Sequence, residues 1–417
     1  MSLFSPETWP FDLALLPADA CLVGGSVRDR LLNRQATHLD LDFVLPERAV
    51  EIASAIAHRY QAGFVVLDAE RQIARVVFPS MTVDFAQQEG KTLEDDLRRR
   101  DFTINAIAYN AHQQATVDPL NGTADIEARR IRMVSYQNLE DDPLRLLRAH
   151  RQAAQLGCEI APDTQTAIAE LSPLLKQVSI ERVRSELDAL LSCEAGTVQL
   201  KAIAQNQLLS YCLPLLSPHR VEQIAAIDRA ISQFEAELPE FFETLLGWCK
   251  PVPPGCYRSW AKVAKLSRLI SASVKQSTQL LTALTYSNQE VQVVLTLLKA
   301  QPEIEALQRG SLTRAQQFFL FKSVGKTFPA VALLARSQGV ELGKLASLIS
   351  RFQNPADEIA HAQPLVNGTI LMKQIGLTPG PMLGKLLNAI EQAQATGEIQ
   401  TTADAIAWAK LHNASSA

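Results

Sequence analysis

Cys21-Leu22-Val23-Gly24-Gly25-Ser26-Val27-Arg28-Asp29, followed closely by Leu39-Asp40-Leu41-Asp42-Phe43-Val44, is the stretch on which the fold turns. It reads as a strand, a glycine turn, a short helix and a second strand. Alternate side chains of a strand share a face, so Asp40 and Asp42 point one way while Leu41 and Phe43 point into a core. Two neighbouring carboxylates repel each other, and divalent cations between them relieve the repulsion. Paired Mg²⁺ ions about 3.5 to 4 Å apart activate an attacking hydroxyl and stabilise a leaving pyrophosphate. Asp84, in Val83-Asp84-Phe85-Ala86, is a candidate third carboxylate from a neighbouring strand. An isolated Asp-x-Asp also occurs on the solvent face of an edge strand, and an isolated Gly-Gly is often only a turn. Here they stand together. Gly24 and Gly25 let backbone N–H groups approach phosphate oxygens, Ser26 can open a helix whose positive end favours anions, and Arg28 adds a fixed cation. The combination suits a nucleoside triphosphate and its metal ions.

Working outward, 417 residues exceed one ordinary hydrophobic core, and about two to four domains are expected. Hydrophobic residues make up 47% and aromatics only 6%, a balance that favours a largely helical protein. The net charge of −4 gives no global basic signature, so nucleic-acid contact has to come from local Arg and Lys clusters. Cys21, Cys158, Cys193, Cys212, Cys249 and Cys256 form no C-x-x-C pair and are dispersed along apolar segments, as reduced core cysteines would be. Glu7, Asp12 and Asp19 argue against a signal peptide, and no run approaches eighteen apolar residues. A cytoplasmic protein is expected.

From Ala20 to Val44 apolar runs alternate with turn signals. Val65–Leu67, Ala74–Phe78 and Thr82–Phe85 add short strands, with a helix over Glu47–Tyr60 between them. Leu93–Arg100 carries acids in its first turn and Arg98, Arg99 and Arg100 in its last, an order that suits a helix dipole. Asp101 is placed to cap a second helix through Ala108. Asp118-Pro119-Leu120-Asn121-Gly122 marks a turn in which Gly122 is expected to supply a positive φ, with Asp125–Arg132 running out of it. Beyond residue 140 strand signals nearly vanish. Leu144–Leu156, Pro162–Leu171 and Ser179–Leu191 carry helical periodicity, Lys250–Gly255 is a Pro/Gly-rich joint, and a second break lies at Gln353–Leu365. The last residues, His412 to Ala417, read as frayed.

Gly24–Asp29, Asp40-Leu41-Asp42, Arg99-Arg100-Asp101-Phe102-Thr103-Ile104-Asn105-Ala106 and Asp141-Asp142-Pro143-Leu144-Arg145-Leu146-Leu147-Arg148-Ala149 follow one another in the order seen in the class II tRNA nucleotidyltransferases. The chain resembles that family of CCA-adding enzymes and bacterial poly(A) polymerases. The likeness extends through Asp118–Gly122 with Asp125, Ile180-Glu181-Arg182-Val183 with Glu186-Leu187, and Pro364–Gly368 with Gly376–Pro381 and Gly384. Residues 200–360 offer little that is diagnostic. The resemblance implies an α+β protein: a small mixed-sheet, polymerase beta-like nucleotidyltransferase head (1–139) followed by an all-α neck (140–200), body (201–355) and tail (356–417).

Carried over residue by residue, the resemblance makes Asp40 and Asp42 the Mg²⁺ ligands and catalytic carboxylates. It puts Gly25 and Arg28 at the triphosphate, and Arg100 and Asp101 at the ribose. The run Arg98–Asp101 would otherwise read as a solvated helix end. Asp142, Arg145, Arg148 and Arg151 are spaced by three, so on a helix each lies about 60° from the last and they form a stripe. A carboxylate that accepts from an exocyclic amino group beside a guanidinium that donates to a ring nitrogen matches cytosine and adenine, and rejects uracil and guanine. The resemblance assigns that base-reading role to Asp142 and Arg145, with Arg148 and Arg151 completing the pocket. Asp142 before Pro143 also fits an N-cap, unless Asp141 caps and leaves it free.

Three positions depart from the family pattern. Its usual Glu is Asp141, with Glu140 ahead of it. The aromatic that often follows the last arginine is Gln152, a difference expected to concern packing. Only Gln87-Gln88-Glu89-Gly90-Lys91-Thr92 separates the Asp84 strand from the helix leading to Arg100, where CCA-adding members carry a longer flexible loop. The family ties that loop to the switch from adding C to adding A. Its loss is associated with CC-adding members, so the resemblance implies CC addition from CTP with a separate enzyme supplying the terminal A; the alternative is ordinary loop-length variation with full CCA addition from CTP and ATP.

For the tRNA partner, shape and phosphate recognition of the acceptor arm suffice, with Arg182, Arg184, Lys373 and Lys385 as candidate contacts. The alternatives are a bacterial poly(A) polymerase and an inactive RNA-binding relative.

Overall fold

The computed structural model describes residues 6–34, 39–248, 258–270 and 273–414. Its N-terminal region contains β1 (Cys21–Val23), α1 (Gly25–Leu31), β2 (Leu39–Leu45), α2 (Ala49–Tyr60), β3 (Gly63–Asp68), β4 (Ile73–Val77), β5 (Met81–Gln87) and α3 (Leu93–Arg98). Then come β6 (Ala108–Asn110), β7 (Ala115–Val117), α4 (Gly122–Glu127), β8 (Arg130–Ile131), α5 (Tyr136–Asp141), α6 (Leu144–Leu156), β9 (Glu159–Ile160), α7 (Pro162–Leu171), α8 (Ile180–Ser192) and α9 (Gly196–Gln205). Among the described residues helices alone follow: α10 (Pro218–Glu237), α11 (Pro239–Leu246), α12 (Trp260–Leu269), α13 (Val274–Ala283), α14 (Asn288–Lys299), α15 (Gln301–Arg309), α16 (Arg314–Val324), α17 (Phe328–Ser337), α18 (Leu342–Gln353), α19 (Gly368–Ile375), α20 (Pro381–Thr396) and α21 (Thr402–Ala414). The chain divides into two compact units, Met1–Tyr211 and Cys212–Ala417.

The α+β class holds: a seven-stranded mixed sheet of order β3-β4-β5-β2-β1-β6-β7 precedes the helices. β2 and β5 run parallel, and their register puts Asp42 opposite Asp84 and Phe43 opposite Phe85. Alternation sends the carboxylates to one face and the rings to the other. There Phe43 and Phe85 stack at 5.6 Å and Trp9 meets Phe43 edge-on at 4.9 Å, so an aromatic layer fixes the strands whose opposite face carries charge. Burying a ring of this size contributes about 1.5–3 kcal/mol. Burial also pushes the Cys21 thiol up to about 11, away from reactivity.

Several local expectations are corrected. α2 starts at Ala49, because Arg48 takes a left-handed φ of 59°. α3 stops at Arg98, short of Arg100. Asp101 caps no helix: a single 3₁₀ turn, Thr103–Asn105, follows it, and Ala108 begins a strand paired with β1. Asn121, not Gly122, takes the positive φ, at 53°. Gly122 is required by contact instead, since a Cβ there would lie 2.2 Å from the Thr103 carbonyl oxygen. Past residue 140 the described residues hold one short strand, β9, which pairs with β8.

In the second unit Leu371, Leu386, Ile390, Ala405 and Ala409 give α19–α21 a core of their own. The break after Gln353 is a turn-rich connection to α19. The Lys250–Gly255 joint, with Cys249 and Cys256, lies outside the described residues. α21 remains helical through Ala414 despite the expected fraying, and the last three residues lie outside the description. One stretch, Arg314–Ser337, is long and apolar enough to cross a membrane. It is broken at Gly325–Thr327 and mostly buried among other helices.

Candidate active site

Three strands present the charged face. Arg75 on β4 stands opposite Asp84, and its Nε and Nη2 donate to the two Asp84 oxygens at 2.7 and 2.8 Å. Asp84 is therefore beside Asp42 as expected, but both of its oxygens are held by Arg75, and it is not an open third ligand. Thr82 Oγ1 donates to Asp40 Oδ1 at 2.5 Å. The Asp42 backbone is paired within the sheet, while its carboxylate takes no hydrogen bond from a described residue. Burial, then the Asp84 charge and to a lesser degree Asp40, push the Asp42 carboxyl up to about 6 against the pull of Arg100 and Arg75. Negative charge is under-compensated here, as a cation site requires. Among the described residues no group of three or more His, Cys, Asp or Glu is placed to hold a metal. Two hard carboxylates open on one side fit a divalent ion that completes its shell with water and phosphate oxygens.

Gly24, at φ +75°, makes the turn from β1 into α1. A Cβ there would come within 3.2 Å of Asp42 Oδ2, so the backbone lies directly against the carboxylate. Ser26 does not open the helix; its Oγ donates to the Val23 carbonyl at 3.2 Å, and Gly25 is the first helical residue.

From Arg28 a hydrogen-bonded chain runs to the helices after the sheet. Arg28 pairs with Asp29, and its Nη1 donates to Asn105 Oδ1 at 2.8 Å. Asn105 Nδ2 donates to Asp101 Oδ1 at 2.8 Å and to Gln152 Oε1 at 3.0 Å. Arg148 donates twice to Asp101 Oδ2, at 2.9 and 2.8 Å. Arg151 pairs with Glu186 of α8. Asp101 is only 6% exposed. Burial would raise its pKa, but the Arg148 charge, Asn105 and the Phe102 N–H together hold it below the ordinary carboxylate value.

These groups line a cavity of about 530 Å³. Of the residues singled out in the sequence, Gly25, Arg28, Asp40, Asp42, Arg100, Asp101, Arg148 and Arg151 line it. Arg100 lies beyond the helix end and pairs with Asp96 at 3.0 Å, while Arg98 and Arg99 turn to Glu94 and Glu89. Asp142 and Arg145 do not line the cavity. Asp142 is extended backbone before α6, so the helical stripe begins at Arg145. Its carboxylate accepts from the Leu144 N–H at 3.3 Å and from Arg182 at 3.2 and 2.9 Å, so capping and ion pairing share it. Arg145 Nη1 donates to the Asn138 carbonyl at 3.0 Å.

Asn105 and Gln152 went unassigned in the sequence, and both belong to the site. Gln152, expected to concern packing, is a 2%-exposed acceptor for Asn105 and lines the cavity. The available signal was a lone amide within the apolar run Ile104-Asn105-Ala106-Ile107, a buried polar group that needs partners. Arg34 also lines the cavity and donates to the Gln155 carbonyl at 2.5 Å.

The connection from β5 to α3 is fastened at successive backbone donors. Gln88 N–H reaches the Leu45 carbonyl at 2.7 Å and Glu89 N–H reaches Asp96 Oδ1 at 3.1 Å. Lys91 and Thr92 N–H both reach Asp95 Oδ2, at 3.0 and 2.9 Å, within a capping box.

The poly(A) polymerase head domain matches residues 20–132. A probable RNA- and SrmB-binding site of polymerase A matches 157–219, and a putative tRNA nucleotidyltransferase domain 2 matches 258–409. The CC-adding tRNA nucleotidyltransferase of Synechocystis sp. is 43% identical, over 96% of this chain and 95% of its own. The A-adding tRNA nucleotidyltransferase of Deinococcus radiodurans is 33% identical, over 94% and 95%. The crystal structure of the Bacillus stearothermophilus CCA-adding enzyme in complex with CTP superposes with a TM-score of 0.72 at 26% identity, covering 95% of this chain and 94% of that one. The chain therefore belongs to the tRNA nucleotidyltransferase family, with a head domain of the poly(A) polymerase type.

Proposed function

We propose that the chain extends the 3′ end of tRNA with two cytidylates from CTP, without a nucleic-acid template and with Mg²⁺, and leaves the terminal A to a separate enzyme. The observation that carries the transferase reading is the single cavity in which Asp40 and Asp42 face a row of guanidinium groups. In this reading Asp40 and Asp42 hold the metal, which when bound lowers the pKa of the attacking 3′ hydroxyl and neutralises the leaving pyrophosphate. Arg28 and the Gly24–Gly25 backbone orient the triphosphate, and Arg100 and Asp101 meet the ribose. Asp142 and Arg145 read the base after exchanging Arg182 and the Asn138 carbonyl for it.

Two observations support stopping after CC. The β5–α3 connection is short, and its backbone N–H groups at Gln88, Glu89, Lys91 and Thr92 are each bonded, which disfavours a rearranging loop. The relative at 43% identity is named as CC-adding. Within this proposal the head spans 1–139, the neck 140–200, the body 201–355 and the tail 356–417. Arg184, Lys373 and Lys385 are candidate contacts to the acceptor arm, and Arg182 becomes one on releasing Asp142. A tRNA substrate places the work in the cytoplasm. A poly(A) polymerase would instead build long A tracts on other RNAs, and an inactive RNA binder would incorporate nothing. The test is Asp40→Asn and Asp42→Asn with labelled CTP and Mg²⁺: incorporation should be abolished with the melting temperature preserved. Near-normal incorporation would exclude the two-carboxylate assignment.

A further inference from the structure

Within the second unit, a cavity of about 570 Å³ lies among α10, α12, α14, α15 and α17. Among the described residues its lining contains Arg220, Arg268 and Lys299 and no carboxylate. Arg220 Nη1 donates to the Arg268 and Ile270 carbonyls at 3.0 and 3.2 Å, where α12 ends, which accounts for Arg220 as a structural cap. Lys299, in the last turn of α14, fits the helix dipole. Arg268 has no such account. It is partly buried, its Nη2 is inaccessible to solvent and has no hydrogen-bond partner among the described residues, and burial followed by the Arg220 charge pulls its pKa down. A guanidinium does not deprotonate in a protein, so positive charge stays here without a counter-charge. In the same lining Gln223 Oε1 is also buried and without a donor among the described residues.

We propose that this cavity binds a phosphate-bearing anion, with Arg268 as the principal charge partner and Arg220 and Lys299 flanking it. A monohydrogen phosphate group supplies what both orphan atoms lack: acceptor oxygens for Arg268 and a P–OH donor for Gln223. The rest of the wall, Leu297 and Leu334 with the amides of Gln301 and Gln338, leaves room for an organic portion. The phosphate comes from a small free anion rather than RNA, because Arg268 is recessed and the phosphates of an RNA duplex lie on a convex surface. None of these residues lines the nucleotide cavity.

The test uses the full chain and inorganic phosphate. In phosphate-free buffer Arg268→Met should melt at or above the wild-type temperature, because the substitution removes an uncompensated buried charge. Adding phosphate at matched ionic strength should raise the wild-type melting temperature by several degrees and the variant's by less. The exposed-site variant Lys299→Gln should show an intermediate response. Crystals soaked in tungstate should give an anomalous peak within hydrogen-bond reach of Arg268. An equal phosphate response in wild type and Arg268→Met, a variant that melts well below wild type without phosphate, or no peak in the cavity would each overturn the proposal. Unchanged tRNA affinity in Arg268→Met supports the free-anion source. A several-fold loss would overturn that source and assign the phosphate to RNA.

Discussion

Asp42 of β2 and Asp84 of β5 face each other across parallel strands, yet Asp84 alone is neutralised, by the bidentate guanidinium of Arg75. The sheet thus sets an anchored carboxylate beside an open one. Arg75→Gln should unmask the Asp84 charge and tighten Mn²⁺ binding to the nucleotide-free protein by about three- to tenfold, on the order of 1 kcal/mol. Titration followed by electron paramagnetic resonance measures it, and an unchanged affinity would mean that the Arg75 charge is not felt at Asp42.

Asn105 joins Arg28, Asp101 and Gln152 through one amide. Asn105→Leu leaves all three short of a partner and should cost about 1–3 kcal/mol of stability. It should also raise the KM for CTP about tenfold, because Arg28 is then held by Asp29 alone. Gln152→Leu removes the Asn105 bond and a long 3.5 Å contact to Asp101, leaves Arg28 paired with Asn105, and should have the smaller effect on both. Melting curves together with steady-state kinetics check this, and a full stability loss with no change in KM would reduce Asn105 to a packing role.

His150 is buried on α6, with Nδ1 2.9 Å from Gln199 Oε1 and Nε2 without a partner among the described residues. Burial holds its pKa below the ordinary histidine value, and Gln199 only partly offsets this. The unfolded chain therefore binds the proton more readily. Its contribution to stability is complete above about pH 6.5 and falls as the pH drops below that. Urea midpoints should decline from pH 7.5 to pH 5 more steeply in wild type than in His150→Leu. Parallel declines would contradict a neutral buried imidazole.

Gly122 and Asn121 separate two reasons for a turn residue. Gly122→Ala drives a Cβ into the Thr103 carbonyl and should destabilise the protein by about 2 kcal/mol. Asn121→Gly relieves a left-handed φ and should be neutral or stabilising within about 1 kcal/mol. Chemical denaturation of both variants reads the difference, and the reverse order would restore the positive-φ explanation for Gly122.

The carboxylate pair and the glycine turn were legible because strand alternation fixes side-chain direction from local sequence. α6 and α7 were legible to the residue for a similar reason, as helical periodicity and Pro162 mark their limits. The region from Asp101 to Ala108 was not, since its apolar run suits a helix or a strand equally and pairing with β1 decides it. No local signal could show that Arg75 would occupy Asp84, or Arg182 occupy Asp142, because each pair forms only when distant segments meet. Asn105 and Gln152 were hidden in the same way, 47 residues apart and joined by one bond.

The most direct measurement supplies tRNA transcripts ending before CCA, after C and after CC, each with CTP, with ATP, or with both. Wherever CTP is present the expected product ends at CC, and with ATP alone no transcript, the CC-ended one included, is extended. Addition of A to that transcript would contradict CC-only synthesis, and no C addition to the shortest one would contradict the transferase itself.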